Sequence, residues 1–291
     1  MKAAVCGLML AAAAAAPVRG PWLGLVFDSG SKSLRPVLGL PGAASLGAPL
    51  EIPFALERAV AAHRGGFALA IDSGGSVFAV AADGARKLAG VRPFPGEIVF
   101  SPSARFAALY YGEEESVDLV SGLPDRPALA ARLRTPGPVA ALAVSDGGVV
   151  LAGLRAGAVY DLRQGRSVLA VGEASAIAFI GATGDALVAD RAAGLVYRIG
   201  VRRGSFAVKE PRALGVSADG RRAVVAGAAP VVLNLETGTA EEAPCACKAT
   251  LAEPLAGNAV FRLTADSEPV MWVLDAAGPR LFFIPAGKGG Q

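Results

Sequence analysis

Cys245-Ala-Cys247 sets two sulfurs two residues apart, a spacing at which an extended backbone points both side chains to one face. Their Cα atoms would then lie near the upper limit for a disulfide, about 6.8 Å, and a bend after Pro244 would bring them closer. The sequence therefore nominates Cys245 and Cys247 as a local disulfide. Free thiols, or a redox or metal pair, are the alternatives, but two thiolates with no histidine nearby in sequence make an incomplete zinc or copper site. His63 is the sole histidine. A Ser-His or Cys-His device must set it beside a nucleophile, and no Gly-x-Ser-x-Gly elbow occurs in the chain. It falls in an expected turn, which reads as a solvated imidazole.

The remaining candidates read as structure too. Ser29-Gly-Ser-Lys32 matches the Ser-x-x-Lys acylase pattern but lacks the Ser-Asp-Asn and Lys-Thr-Gly companions. Gly39-Leu-Pro-Gly-Ala-Ala-Ser-Leu-Gly47 fits neither the Walker spacing nor the dinucleotide fingerprint and reads as a linker. Glu113-Glu-Glu115 with Asp118, next to Tyr110 and Tyr111, reads as a solvated acidic loop, with a cation site as the rival. Arginines gather between Arg191 and Arg222, yet Asp190, Glu210 and Asp219 interleave with them. With a net charge of +3 and no aromatic interleaving, they argue against a nucleic-acid partner. The sequence assigns no catalytic, cofactor-binding or metal residue.

What must position any such group is set by the bulk of the chain. Of 291 residues, 53% are hydrophobic and 18% charged. The charged share lies below the roughly 25% of an ordinary soluble domain, which excludes a charge-rich disordered chain. Met1-Lys2 followed by apolar residues 3–16 has the length and flank of a secretory signal. Residues 1–20 are expected to be a signal peptide, cleaved between Ala13 and Pro21, and the protein to be exported to the periplasm or beyond the cell. An uncleaved buried N-terminal helix is the alternative. After that segment no apolar run reaches the ~18 residues of a spanning helix, so no membrane span is expected in the mature chain.

A repeat organises the rest. A short β-branched or aromatic run, often followed by Asp or Asn and closed by Gly, occurs at Leu23–Gly30, Val77–Gly84, Val117–Gly122, Val159–Gly165, Val196–Gly200, Val231–Gly238 and Trp272–Gly278. The last six closing glycines recur at intervals of roughly 35 to 43 residues. Between them lies a second marker in constant phase, the tight turns at His63-Arg-Gly-Gly66, Ser101-Pro-Ser-Ala-Arg105, Ser145-Asp-Gly-Gly148, Gly181-Ala-Thr-Gly-Asp185, Ser217-Ala-Asp-Gly-Arg221 and Leu255-Ala-Gly-Asn258. Asp-Gly and Gly-Gly supply the positive φ that short hairpins need. Two such markers in register describe units of four short antiparallel strands, and a radial array of them is a β-propeller. A β-sandwich would lack the forty-residue phase, and an α/β fold would need helical patterns that only residues 54–64 suggest.

The pair Val216-Ser-Ala-Asp-Gly-Arg-Arg-Ala-Val-Val-Ala226 and Val231-Val-Leu-Asn-Leu-Glu-Thr-Gly238 resembles the YVTN-type and WD-repeat-like bacterial propellers. The likeness covers residues 60–285, without the Trp-Asp or Gly-His of true WD repeats or the tryptophan docking motif of quinoprotein propellers. It implies an all-β propeller of four-stranded blades, seven in number with six as the alternative. Units are expected near residues 21–53, 56–96, 97–136, 137–173, 174–210, 211–248 and 249–287, in one domain spanning 21–291. The function expected is that of a monomeric, non-catalytic scaffold binding a protein or small-molecule ligand, without cofactor. The rival, since the resemblance includes lactonases, is a hydrolase with carboxylates around the central channel.

Overall fold

Phe67–Asp72, Val150–Leu154, Ala186–Asp190 and Arg222–Ala226 are buried along nearly their whole length. A strand reaches that state when other sheets cover both of its faces. In the computed structural model, which describes residues 20–245, 247–264 and 270–285, these are the second strands of four-stranded blades. Fourth strands contrast with them: Ala128–Arg134 alternates exposed and half-buried residues, and Thr239–Glu242 is exposed throughout. Apolar residues thus fill the stacked middle and charges collect at the circumference.

Seven antiparallel sheets follow one another along the chain, at residues 22–46, 56–87, 97–134, 139–170, 174–207, 213–242 and 253–285. They form a seven-bladed β-propeller with no helix among the described residues, as the repeat predicts. Six blades hold four strands in sequence order, and blade 1 holds three among the described residues. Seven apolar cores cement the ring, one between each pair of neighbours. Phe67, Leu69, Leu109 and Val120 join blades 2 and 3, while Leu23, Val26 and Val37 meet Leu255, Val273 and Ile284 to close blade 7 on blade 1. Among the described residues no sheet contains strands from both ends of the ring; this apolar packing and a hydrogen bond from the Ala256 N–H to the Leu23 carbonyl join the ends. Residues 54–64, the stretch with a helical pattern that also reads as a strand plus linker, contain the strand Leu56–Ala61; its Leu56 and Ala59 are drawn into the core with Ala68 of the same sheet and Leu34 of blade 1.

Blade 1 departs from the sequence expectation. The sequence marker aligns Leu23–Gly30 with the third strands of later units. Yet Trp22 lies against Gly66, in the turn after the first strand of blade 2. The turn that follows Trp22–Asp28 sits at that strand's beginning, where Lys32 pairs with Glu57 at 2.6 Å. Ala256, just beyond the first strand of blade 7, donates its N–H to the Leu23 carbonyl. Trp22–Asp28 therefore runs opposite to both flanking first strands, in the direction of a second strand. Its turn agrees: Asp28-Ser-Gly matches Asp72-Ser-Gly after the second strand of blade 2. The Asp28 carboxylate accepts from the Gly30 and Ser31 amides and the Asp72 carboxylate from the Ser76 amide, the local bonding that favours Asp in such turns.

Candidate functional site

The first strands crowd about the propeller axis, and their side chains line an open cavity of about 420 Å³. Every blade contributes to its wall: Phe27, Val60, Phe100, Leu142, Ile177, Leu214 and Leu251 belong to blades 1 to 7 in turn or to the segments that lead into their first strands. Apolar side chains dominate. Blade 1 reaches the cavity through Phe27 on its second-type strand, since no first strand stands before it among the described residues.

Polar groups enter at two places. Arg262, almost wholly buried, approaches Glu253 at 3.4 Å and donates Nε–H to the Thr264 carbonyl at 2.9 Å. At the hairpin-turn end stands His63, beside Ser217 and Ala218. His63 Nε2 lies 2.9 Å from the Pro102 carbonyl oxygen; a carbonyl only accepts, so this nitrogen carries the proton. Burial pushes the imidazole below its ordinary pKa, and the bond to Pro102 opposes that shift without reversing it. The expected solvated histidine is instead a neutral, mostly enclosed one, because its turn folds over the axis instead of into solvent.

A second hollow of about 320 Å³ adjoins this end and shares His63 and Ala218 with the axial cavity. Trp22, Arg64, Gly65, Gly66, Gly257 and Asn258 line it. Gly65, Gly66 and Gly257 have φ of +83°, +66° and +109°, a left-handed backbone that glycine takes at little cost. Arg64 donates an Nη2–H to the Ala218 carbonyl. The two residues belong to blades 2 and 6, so the guanidinium spans the mouth of the axial cavity. Beside it, Ser103 donates its N–H and its hydroxyl to Asp146 Oδ1 at 2.8 and 2.6 Å, tying the hairpin turns of blades 3 and 4.

The other residues marked by the sequence lie apart from this axis. Cys245 and Cys247 lie in the segment between blades 6 and 7 with their Cα atoms 5.1 Å apart, inside the span a disulfide bridges. Ser29-Gly-Ser-Lys32 is the first turn of blade 1, where the Ser31 hydroxyl donates to Asp28 and Lys32 pairs with Glu57. The acidic loop divides. Glu113, Glu114 and Glu115 are exposed, but Asp118 is wholly buried and accepts from Arg92 Nη2 at 2.9 Å and Arg132 Nε at 2.7 Å. Arg92 in turn stacks 4.0 Å above the Tyr111 ring, whose hydroxyl donates to the Arg92 carbonyl. That is a clasp holding the blade 2–3 linker to blade 3. In the arginine-rich stretch, Arg191 pairs with Glu173, Arg198 with Asp185, Arg212 with Glu210 and Arg221 with Glu236. Among the described residues no three His, Cys, Asp or Glu side chains gather as a metal site would require.

No protein-family model matches this sequence, and no curated protein matches it. Solved structures do match. A functionally unknown protein from Desulfotomaculum acetoxidans superposes with a TM-score of 0.64 at 13% identity, over 91% of this chain and 95% of its own. The β-propeller domain of Cps50 (Swd1) from Myceliophteria thermophila gives 0.57 at 12% identity, over 81% of this chain and 88% of its own. Dihydro-heme d1 dehydrogenase NirN, solved in complex with DHE, gives 0.53 at 18% identity, over 74% of this chain and 52% of its own. At these identities the likeness is one of fold.

Proposed function

We propose that this protein is an exported, non-catalytic propeller whose axial cavity binds a small, largely apolar ligand. The observation that carries this reading is the lining of the cavity. About 420 Å³ lined by side chains such as Phe100, Leu142, Ile177 and Phe179 and open to solvent, with polar side chains confined to His63, Ser217, Arg262 and Glu253, has the size and make-up of a small-molecule site. A channel hydrolase of the lactonase type calls for several carboxylates, Asn or His side chains converging on one mouth. The lining of the axial cavity supplies Glu253, which lies against Arg262, and His63, which is engaged with Pro102. Export rests on residues 1–20, of which 1–19 lie outside the described residues.

Native mass spectrometry of the protein recovered from an exporting host tests the cavity reading. A small molecule should travel with the wild type and be absent from Ala178→Trp, whose indole would fill the cavity from its wall. Equal retention by both would overturn the assignment. Export is tested separately, by fusing residues 1–20 to a reporter active only outside the cytoplasm; an inactive fusion would overturn it.

A further inference from the structure

From the mouth of the cavity we infer that its ligand is an amphiphile with a monoanionic, carboxylate-class head, held by Arg64 in place of the Ala218 carbonyl. This rests on the cavity being a ligand site, and it adds the ligand's polarity and charge. Arg64 lines the rim hollow that meets the axial cavity at His63 and Ala218. Among the described residues it makes no ion pair; its hydrogen bond goes to a neutral carbonyl across the axis. That bond uses one N–H of the guanidinium fork and leaves further donors in the hollow. A planar fork of donors matches a carboxylate, which can accept two parallel bonds where the carbonyl accepts one.

The surroundings decide how much negative charge the mouth tolerates. Arg64 is the one cationic side chain lining the rim hollow. His63 stands uncharged beside it, and the Asp146 carboxylate is near enough to feel the Arg64 charge. A dianion would bring two charges to one cation with the Asp146 carboxylate nearby, whereas a monoanion brings a single charge to the Arg64 fork. Behind the mouth the walls turn apolar at Val60, Phe100, Leu142 and Phe179. An anionic head at Arg64 with a hydrocarbon body pointing down the axis satisfies both halves of this environment.

Isothermal titration of octanoate and octan-1-ol into the full chain, wild type and variants, tests the assignment. The wild type should bind octanoate at least about tenfold more tightly than octanol, the margin of one charge-assisted hydrogen bond. Arg64→Ala and Arg64→Gln should both lose that margin while keeping octanol affinity, and Ala178→Trp should bind neither. Equal wild-type affinities, or octanoate binding unchanged in both Arg64 variants, would overturn the role of Arg64 and leave the cavity reading standing. Failure of both probes to bind the wild type at millimolar concentration would overturn the cavity reading, and this inference with it. Because Arg64 is exposed and sits in a turn, its substitution leaves the interblade cores untouched.

Discussion

Replacing Asp118 by Asn removes one charge and almost no volume, so it isolates what the buried carboxylate does for the ring. The Asp118 side chain has no solvent exposure, while those of Arg92 and Arg132 keep 23% and 46% of theirs. Hydrogen bonds to charged groups contribute about 1.5–3 kcal/mol each in net terms. Both arginines recover hydration when released, which discounts the sum. The variant should lose about 2–3 kcal/mol, or roughly 3–5 °C in melting temperature for a chain of this size. Arg132→Ala should cost less, since its more exposed guanidinium leaves Arg92 still in place. Acid sharpens the test. Burial pushes the Asp118 carboxyl upward, but the hydrogen bonds from Arg132 and Arg92 outweigh it and hold the group below its ordinary value. The unfolded chain then takes up the proton first as pH falls, so the stabilisation is complete above about pH 3.9 and disappears as pH drops through the folded value. Urea denaturation at pH 7, 5, 4 and 3 should therefore show the gap between wild type and Asp118→Asn constant down to pH 5 and closing below 4. A gap that persists unchanged at pH 3, or an Asn variant within about 0.5 kcal/mol of wild type at pH 7, would refute the clasp.

Three further outcomes can be measured in the same way. Gly215→Ala places a methyl group inside the van der Waals radius of the Ala252 carbonyl oxygen, where the first strands of blades 6 and 7 converge, and should cost about 2–4 kcal/mol in urea denaturation; Gly204→Ala, with open space at its Cβ, should stay within about 0.5 kcal/mol. His63, held neutral by burial, makes the fold weaker as pH falls below about 6.5, where the unfolded imidazole gains a proton that the folded one refuses. Thermal melts from pH 7.5 to 5 should show that slope in wild type and a flatter profile in His63→Gln. Cys245→Ser with Cys247→Ser opens a very short loop, so the chain-entropy loss should be about 1.5 kcal/mol; the same melts check it, and a loss above about 4 kcal/mol would mean that the bond shapes the blade 6–7 segment beyond closing that loop.

The propeller was legible in the sequence because its signals are local. Ser145-Asp-Gly-Gly148 and Ser217-Ala-Asp-Gly220 close with a glycine at positive φ whose N–H returns to the serine carbonyl, and that chemistry is written in four consecutive residues. The same locality misaligned blade 1. Asp-Ser-Gly serves equally after a second strand and after a third, so Asp28 could not tell which strand preceded it; only Lys32 meeting Glu57 and Trp22 meeting Gly66 fix its direction. The site was illegible for a further reason. Arg64 and Ala218 stand 154 residues apart and meet only because the ring brings blades 2 and 6 across one axis. Asp118 read as part of an acidic loop because Arg92 and Arg132 lie 26 and 14 residues away on either side.

The direction of Trp22–Asp28 also bears on how blade 1 meets the axis. In the other blades the first strand faces the axis with small or branched residues such as Ala59, Ala143 and Ala178. Blade 1 instead brings the strand direction, and the turn, of a second position to the same radius. It fits because Leu23 and Val26 pack towards blade 7 on one side and Phe27 towards Leu56 and Ala59 of blade 2 on the other. One hydrogen bond, Ala256 N–H to the Leu23 carbonyl, ties its upper end into the ring. Among the described residues, blade 1 meets the axial cavity through Phe27 of this strand, which forms the wall there.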